Sequence, residues 1–200
     1  MKTLDVKLVF IEELLGTASA DPEVYDRFIA SKAPFPAARI EEVSNIPLSD
    51  EAAGRTVFPR GLDGRPIAYD YHVKGFFKDA CSMLRRVKGT ESAKRKAFKK
   101  EIDGLIFVGP REIPILFDGE VGQCQRPLRA STPMGERVAL ACSETAPAGA
   151  TMEFAVMLLD DALEPAVREW LAYGELRGLG QWRNSGKGRF RAEVRERAAA

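Results

Sequence analysis

A glycine-rich segment near the end of the sequence, residues 178 to 189, has residue types that suit contact with phosphate groups. It holds four glycines, three cations and a tryptophan: Gly178, Gly180, Trp182, Arg183, Gly186, Lys187, Gly188 and Arg189. Glycine lets the backbone approach a ligand closely and adopt conformations that other residues avoid. Such a loop can therefore bring backbone N–H groups and cations to a phosphate. Trp182 adds an aromatic face on which a base can stack.

The spacing within this segment excludes one class of phosphate site. It lacks the G-x-x-x-x-G-K-[ST] pattern and follows a predicted helix rather than a strand, so it is not the loop of a nucleotide-hydrolysing motor. A plainer interpretation stays open beside phosphate binding. The segment can be a tight connection from the last helix into the last strand, with surface cations that serve solubility.

Positive charge is concentrated in two stretches, although the net charge of the chain is only +1. Residues 177 to 197 contain seven basic and two acidic residues. Residues 74 to 100 contain ten basic residues against two acidic ones. Nine of these ten are candidate contacts to nucleic acid: Lys74, Lys78, Arg85, Arg86, Lys94, Arg95, Lys96, Lys99 and Lys100. Runs of charge most often form a solvated helix face, which is the alternative interpretation.

Two predicted helices must position these cations. The first begins at Asp70 and has apolar residues at helical spacing, namely Val73, Phe76, Phe77, Ala80, Met83, Leu84 and Val87. The second, over residues 90–101, has almost no apolar stripe, which predicts a basic projection on the surface. A third helix is predicted to begin after Asp160-Asp161, whose carboxylates suit helix capping better than Mg²⁺ binding, and to end at Gly174.

The remaining regular segments are predicted to be strands because they are short, rich in β-branched or aromatic residues and bounded by turn residues. They cover residues 5–12, 105–108, 113–117, 125–130, 137–142, 151–159 and 189–194. With the helices, this order predicts an α+β protein of ferredoxin-like or RRM-like fold. Helices are expected on one face of an antiparallel sheet, with the other face left for a ligand.

Length and composition favour one domain over residues 1–200, with long insertions at about 13–56 and 88–142. Residues 22–30 can form a short helix within the first insertion. No long apolar run and no signal-peptide pattern is present, so a cytoplasmic protein without membrane contact is expected. The three scattered cysteines, Cys81, Cys124 and Cys142, suggest neither a disulfide nor a zinc site, and we expect small core residues, no metal and no cofactor.

Three segments together resemble the RAMP superfamily, the RRM-like proteins that process CRISPR RNA or coat it as backbone subunits. The helix and glycine loop of residues 170–189 resemble the family's C-terminal glycine-rich loop. Asp63-Gly64-Arg65-Pro66-Ile67, followed by Lys74-Gly75, resembles the segment that opens the first helix of the backbone subunits. Residues 144–154 resemble the turn and strand before the last helix. The sequence departs from the family at Ala68-Tyr69-Asp70-Tyr71, where the family has small residues.

The resemblance implies a protein that binds single-stranded nucleic acid, RNA in preference to DNA, without catalysis. Its backbone contacts would come from Lys74, Lys78, Arg183, Lys187 and Arg189, with the projection at residues 94–100 reaching along the strand. The protein would self-associate into a filament or assemble with other CRISPR-type subunits. The family also includes small stand-alone members carried by phages, so a protein that engages or mimics a host CRISPR complex is an alternative.

A second alternative is an endoribonuclease of RAMP type. His72, the single histidine, is the candidate general base, because family nucleases often use a histidine and its ordinary pKa suits neutral pH. Asp21 is the candidate that could hold a divalent ion against a scissile phosphate, as in backbone subunits that cleave RNA. The plainer interpretations are a polar residue at a helix start for His72 and the start of a short helix for Asp21-Pro22.

Overall fold

The structure is a computed structural model that describes residues 1–21, 40–41, 44–47, 54–132 and 135–198. Its larger sheet has six strands, β1 Lys2–Phe10, β5 Ile67–Tyr69, β6 Ile106–Gly109, β7 Glu112–Leu116, β10 Thr151–Leu158 and β11 Phe190–Glu196. They lie in the order β11-β1-β10-β7-β5, with β6 also paired to β10. All pairings in this sheet are antiparallel. The segment expected as a second insertion therefore supplies β6 and β7 to this sheet.

The core lies on one side of this sheet, as alternation of side chains along a strand requires. Along β1, Leu4, Val6, Leu8 and Phe10 are buried, and the residues between them are partly exposed. The buried side chains share one core with apolar residues of two helices, α1 (Asp70–Leu84) and α3 (Glu164–Arg177). The opposite face is polar, with an ion pair of 3.0 Å between Lys7 and Glu153.

A second sheet contains β2 Leu14–Leu15, β3 Ala18–Ser19, β4 Arg55–Val57, β8 Gly122–Thr132 and β9 Gly135–Ala146. These strands lie in the order β2-β9-β4-β3, with β8 paired to β9. Most of its pairings are antiparallel, while β4 runs parallel to β9. The two predicted strands in residues 125–142 are therefore the arms of one long hairpin. The helix predicted over residues 22–30 lies outside the described residues.

Helix α1 begins at Asp70, as predicted, but its apolar face is shorter than expected. Val73, Phe76, Phe77 and Ala80 are buried, whereas Val87 lies beyond the helix and is 54% exposed. The hydroxyl of Thr90 donates to the carbonyl oxygens of Leu84 and Val87, each at 3.0 Å. The carbonyl of Leu84, in the last turn of the helix, also accepts from the amide of Val87 at 2.8 Å, and these bonds hold the turn that follows the helix.

The prediction of a basic surface helix over residues 90–101 is wrong. A short 3₁₀ turn, Ser92–Lys94, precedes helix α2, Phe98–Leu105. Phe98 and Ile102 are buried on one side of α2. The carboxylate of Glu169 in α3 accepts bonds from the amides of Glu91 and Ser92, at 2.8 and 3.0 Å, and from the Ser92 hydroxyl at 2.6 Å. The segment is thus packed onto α3 rather than projecting from it.

Helix α3 continues past Gly174, where we predicted its end, to Arg177. Gly174 is needed for packing instead, because a Cβ atom at this position would lie 2.1 Å from Cζ of Phe190. The helix ends at Gly178, whose φ of 77° is open to glycine and unfavourable for other residues. Asp160 does cap the preceding turn, since its carboxylate accepts from the amide of Ala162 at 3.0 Å.

The α+β class and the antiparallel sheets are confirmed. Within the part of the chain that the structure describes, no helix is both long and apolar enough to cross a membrane. The cysteines are free thiols, and Cys81 is buried while Cys124 and Cys142 are half-buried on the hairpin. The expectation of three core cysteines is therefore correct for Cys81 alone. No group of three or more His, Cys, Asp or Glu among the described residues is arranged to hold a metal ion.

Candidate nucleic-acid interface

The glycine-rich loop crosses itself at its two ends, and its glycines permit this. Gly178, Gly180, Gly186 and Gly188 all have positive φ, between 71° and 83°. The amide of Leu179 donates to the carbonyl of Gly188 at 2.8 Å, and the amide of Gly188 donates to the carbonyl of Glu13 at 2.7 Å. A Cβ atom at Gly188 would lie 1.9 Å from the carbonyl oxygen of Leu179. Only glycine at position 188 therefore allows this backbone segment to approach the backbone of Leu179 so closely.

The three cations of the loop are already paired within the protein. Arg183 lies 2.7 Å from the carboxylate of Asp79, which also binds Arg177 at 2.9 Å. Lys187 lies 2.8 Å from Glu13, and this hydrogen bond raises the pKa of the lysine. The guanidinium of Arg189 donates to the backbone carbonyl of Glu175 at 2.7 Å. A strand that contacts these side chains must compete with internal acceptors.

Burial disfavours ionisation of Asp79, but the hydrogen bonds and charges of Arg177 and Arg183 outweigh it. The net effect lowers the pKa of Asp79. The carboxylate therefore stays charged at neutral pH and holds the loop to the middle of α1. This pairing joins elements that lie about a hundred residues apart in the chain.

Trp182 projects from the loop in a left-handed backbone conformation, with φ of 53°. Its indole is 39% exposed and lies 5.0 Å from the guanidinium carbon of Arg126, which comes from β8. Arg126 is only 7% exposed. Its described hydrogen bonds go to neutral atoms, the hydroxyl of Ser143 and the side-chain oxygen of Gln181, each at 3.0 Å. A buried guanidinium without a described carboxylate partner leaves positive charge under the exposed indole.

A cavity of about 340 Å³ is lined by residues of the loop and of α1, and neither Trp182 nor Arg126 lines it. Its wall is mainly apolar, and polar side chains enter from the helix and the loop. The lining residues that matter for its chemistry are Phe58, Ile67, Tyr71, His72, Gly75, Phe76, Asp79, Leu179, Gly180 and Arg183. The loop therefore separates two surfaces, the cavity and the face formed by Trp182 and Arg126.

His72 lines this cavity near the start of α1. Its Nδ1 accepts from the amide of Tyr69 at 3.3 Å, and the ring packs against Tyr71 at 4.7 Å between centroids. Burial lowers the pKa of His72 to about 4. The ring is therefore neutral at physiological pH and a weak base, which disfavours the role of general base. The plainer interpretation of a residue that supports the helix start agrees with these contacts.

Asp21, the other catalytic candidate, lies just after β3. Its amide is 3.3 Å from the hydroxyl of Ser19. The residues that follow it, and with them the predicted helix start at Asp21-Pro22, lie outside the described part of the chain. Asp21 is also not among the residues that line the cavity beside His72.

The basic residues of α1 lie on a face next to the cavity rather than in it. Lys78 pairs with Asp103 of α2 at 2.6 Å, and Lys74 donates to the Asp103 carbonyl at 3.2 Å while its ammonium lies 5.3 Å from the ring of Phe107. Burial lowers the pKa of Lys74. These two lysines therefore fasten α2 to α1, and the structure does not bring them together with the loop cations.

The rest of the basic stretch divides into engaged and exposed residues. Arg85 lies over the ring of Phe98 at 5.3 Å, Lys94 pairs with Glu91 at 2.5 Å, and Arg95 binds Glu101 at 3.1 Å. Arg95 also donates to the carbonyl of Ala162 at 2.7 Å. Within residues 74–100, the exposed cations for which the described residues provide neither an ion pair nor a ring contact are Arg86, Lys88, Lys96, Lys99 and Lys100. We call these five residues the basic surface.

Sequence reasoning missed three residues that shape this region. In the sequence, Asp79 is one of two acidic residues within the basic stretch of residues 74–100, and Glu13 lies in the predicted insertion of residues 13–56. Arg126 lay in a predicted strand with no distinguishing pattern around it. Their partners in the glycine-rich loop are 55 to 174 residues away in the chain, so no local spacing could indicate these contacts.

Comparisons with known proteins identify solved structures that share this fold. A search of protein-family models finds no match, and neither does a search of curated proteins. Solved structures do match over the whole chain. A subunit of the Type III-B Cmr-beta complex bound to cognate target RNA is 14% identical, with a TM-score of 0.53 over 100% of this chain and 61% of that one. The chain thus spans about three fifths of that subunit.

A subunit of a Type IV-B CRISPR complex has the same TM-score and identity, over 99% of this chain and 92% of that one. Two CRISPR complexes of different type therefore contain subunits with this fold. At this level of identity the likeness concerns the fold, and the site residues must be argued from their own contacts.

Proposed function

We propose that this protein binds single-stranded RNA as a subunit of a CRISPR-type complex. The observation that carries the proposal is the exposed indole of Trp182, held in a strained conformation over the buried guanidinium of Arg126. Backbone strain of this kind persists only where the surrounding structure enforces it, and it is concentrated at functional sites. An aromatic face backed by positive charge suits a base and its phosphate.

The topology supports a RAMP-like, ferredoxin-like interpretation. Taken along the chain, β1, α1, β6, β10, α3 and β11 follow the order β-α-β-β-α-β, and their strands lie in the order β11-β1-β10-β6. The hairpin of β8 and β9 is then an addition between the second and third strands of this unit. It contributes Arg126, so the proposed binding face is shared between the common fold and its insertion.

The basic surface supplies long-range attraction in this proposal. Lys96, Lys99 and Lys100 are exposed at and before the start of α2. Each phosphate contact made by such a residue releases a condensed counterion, which makes affinity fall with salt. The preference for RNA over DNA rests on the family resemblance, and contacts to the 2′-hydroxyl would provide it.

Anisotropy titrations with labelled single strands test this function. Wild-type protein should bind RNA in the micromolar range or better at low salt, and Trp182→Ala should weaken binding by about 5- to 150-fold, from the 1–3 kcal/mol typical of one stacked base. Trp182→Phe keeps an aromatic face and serves as the matched control. Equal affinity of Trp182→Ala and wild type would contradict the stacking role, and no binding to any strand would overturn the function.

The same preparation separates this proposal from its alternatives. Incubation of labelled RNA with and without Mg²⁺ should give retarded complexes and no new fragments, because the lowered pKa of His72 makes it a weak base. New fragments would favour the endoribonuclease. Purified protein that carries protein partners and no nucleic acid would favour the alternative of a phage protein that engages a host complex.

A further inference from the structure

Gly75 of α1 is an exposed residue in the wall of the cavity between α1 and the glycine-rich loop. This glycine lies within a regular helix, where alanine is favoured by about 1 kcal/mol, so its conformation does not demand glycine. A Cβ atom at Gly75 would meet no atom within 4 Å. The missing side chain therefore leaves space at the cavity wall, and a larger residue would enter that space without a backbone clash.

The size and the wall of the cavity restrict what it can hold. Its volume of about 340 Å³ lies at the small end of the range of about 300–1,000 Å³ found for ligand sites. Phe58, Phe76 and Tyr71 contribute aromatic surface, and Ile67 and Leu179 contribute aliphatic surface. A single flat ring system suits this space and these walls better than a stack of bases.

Two polar groups in the wall offer one acceptor and one donor. Oδ2 of Asp79 accepts short bonds from Arg183 and Arg177, at 2.7 and 2.9 Å, whereas Oδ1 accepts a single long bond of 3.4 Å from Arg177. Oδ1 therefore retains acceptor capacity, since a carboxylate oxygen has two lone pairs. Because Nδ1 of His72 accepts from Tyr69, the proton of the neutral ring is on Nε2 and can be donated.

We propose that the cavity holds one unpaired nucleobase of the bound strand, with adenine preferred. A purely apolar ligand would leave the Asp79 oxygen and the His72 N–H unsatisfied, whereas a base edge presents both donors and acceptors. Adenine matches one remaining lone pair on Oδ1 and one N–H of His72, because its exocyclic amine donates beside a ring nitrogen that accepts. This inference rests on the proposed function, because the base belongs to the strand that the loop contacts.

Three variants test the cavity. Gly75→Leu fills it, Gly75→Ala adds one carbon and leaves it open, and Gly104→Leu adds the same leucine on α2, where a Cβ atom also meets nothing within 4 Å. Circular dichroism and thermal melts establish that all three are folded. Gly75→Leu should bind adenine-containing RNA about tenfold more weakly than wild type, while Gly75→Ala and Gly104→Leu should match wild type. RNA that lacks adenine should show a smaller difference.

A calorimetric titration with adenosine 5′-monophosphate, and with guanosine 5′-monophosphate for comparison, examines the cavity without a strand. Binding to wild type and Gly104→Leu, and its loss in Gly75→Leu, is the expected result. If wild type binds RNA and Gly75→Leu binds it equally well, the base site is overturned and the proposed function stands. If wild type binds no strand, the proposed function fails, and the mononucleotide titration alone then decides whether the cavity holds a base.

Discussion

Replacement of Gly188 by alanine tests whether the loop crossing is a steric requirement. The backbone has φ of 71° there, which costs an L-residue about 1–2 kcal/mol. The added Cβ would also lie 1.9 Å from the carbonyl oxygen of Leu179, a backbone atom that cannot rotate away. The two backbone segments that cross at Leu179 and Gly188 must then separate. The bonds at risk join Leu179 to Gly188 and Gly188 to Glu13.

Each of these hydrogen bonds contributes about 0.5–1.5 kcal/mol net. With the conformational cost, Gly188→Ala should lower the free energy of unfolding by about 2–5 kcal/mol. Gly186→Ala is the matched control, because its φ of 83° carries the same conformational cost while the nearest atom, Cδ of Arg189, is 3.7 Å away. It should lose only about 1–2 kcal/mol.

Urea unfolding monitored by circular dichroism, with RNA anisotropy on the same samples, measures both effects. Gly188→Ala should also weaken RNA binding at temperatures where it stays folded, because the loop that carries Trp182 has lost its anchor. Equal destabilisation by the two substitutions would refute the argument, since it would mean that the close approach to Leu179 has no energetic consequence.

Three further results are expected. The free energy of unfolding should fall by at most about 3 kcal/mol as pH decreases from about 6.5 to about 4, because unfolding lets His72 regain its ordinary pKa and take up a proton. Urea titrations at several pH values measure this change, and His72→Gln should make it smaller. Gly174→Ala should lower the melting temperature, because its Cβ would lie 2.1 Å from the Phe190 ring, whereas Gly104→Ala on α2 should leave it unchanged or raise it. Glu13→Gln should raise RNA affinity at low salt in anisotropy titrations, because it releases Lys187 from its carboxylate; unchanged affinity would mean that this lysine does not reach the strand.

The regular elements could be predicted because their apolar periodicity is local. Helix α1 was placed at its correct start from the spacing of Val73, Phe76 and Phe77, and the strand at residues 151–159 was placed to within one residue. The errors arose where distant residues decide the outcome. Glu169 of α3 anchors the turn at Ser92, and no pattern near residue 92 indicates this contact.

The candidate site was predictable in its glycines and not in its electrostatics. Glycine at four positions indicated a tightly folded loop, and all four positions have positive φ. Charge counting alone treated Arg183 and Lys187 as free cations, but long-range pairing with Asp79 and Glu13 neutralises them. Composition measures charge along the chain, whereas binding depends on which charges remain unpaired after folding.

These pairings assign different parts of the binding energy to different surfaces. The loop cations are already satisfied, so moving them from carboxylates to phosphates gains little net Coulomb energy. Salt-dependent affinity should then come from the basic surface, and replacing Lys96, Lys99 and Lys100 with glutamine should reduce the slope of log affinity against log salt by about 2. Stacking on Trp182 does not depend on counterion release, so Trp182→Ala should shift that line downward without changing its slope. If both sets of substitutions changed the slope and the position of this line in the same way, the loop and the basic surface would not contribute separately to RNA affinity.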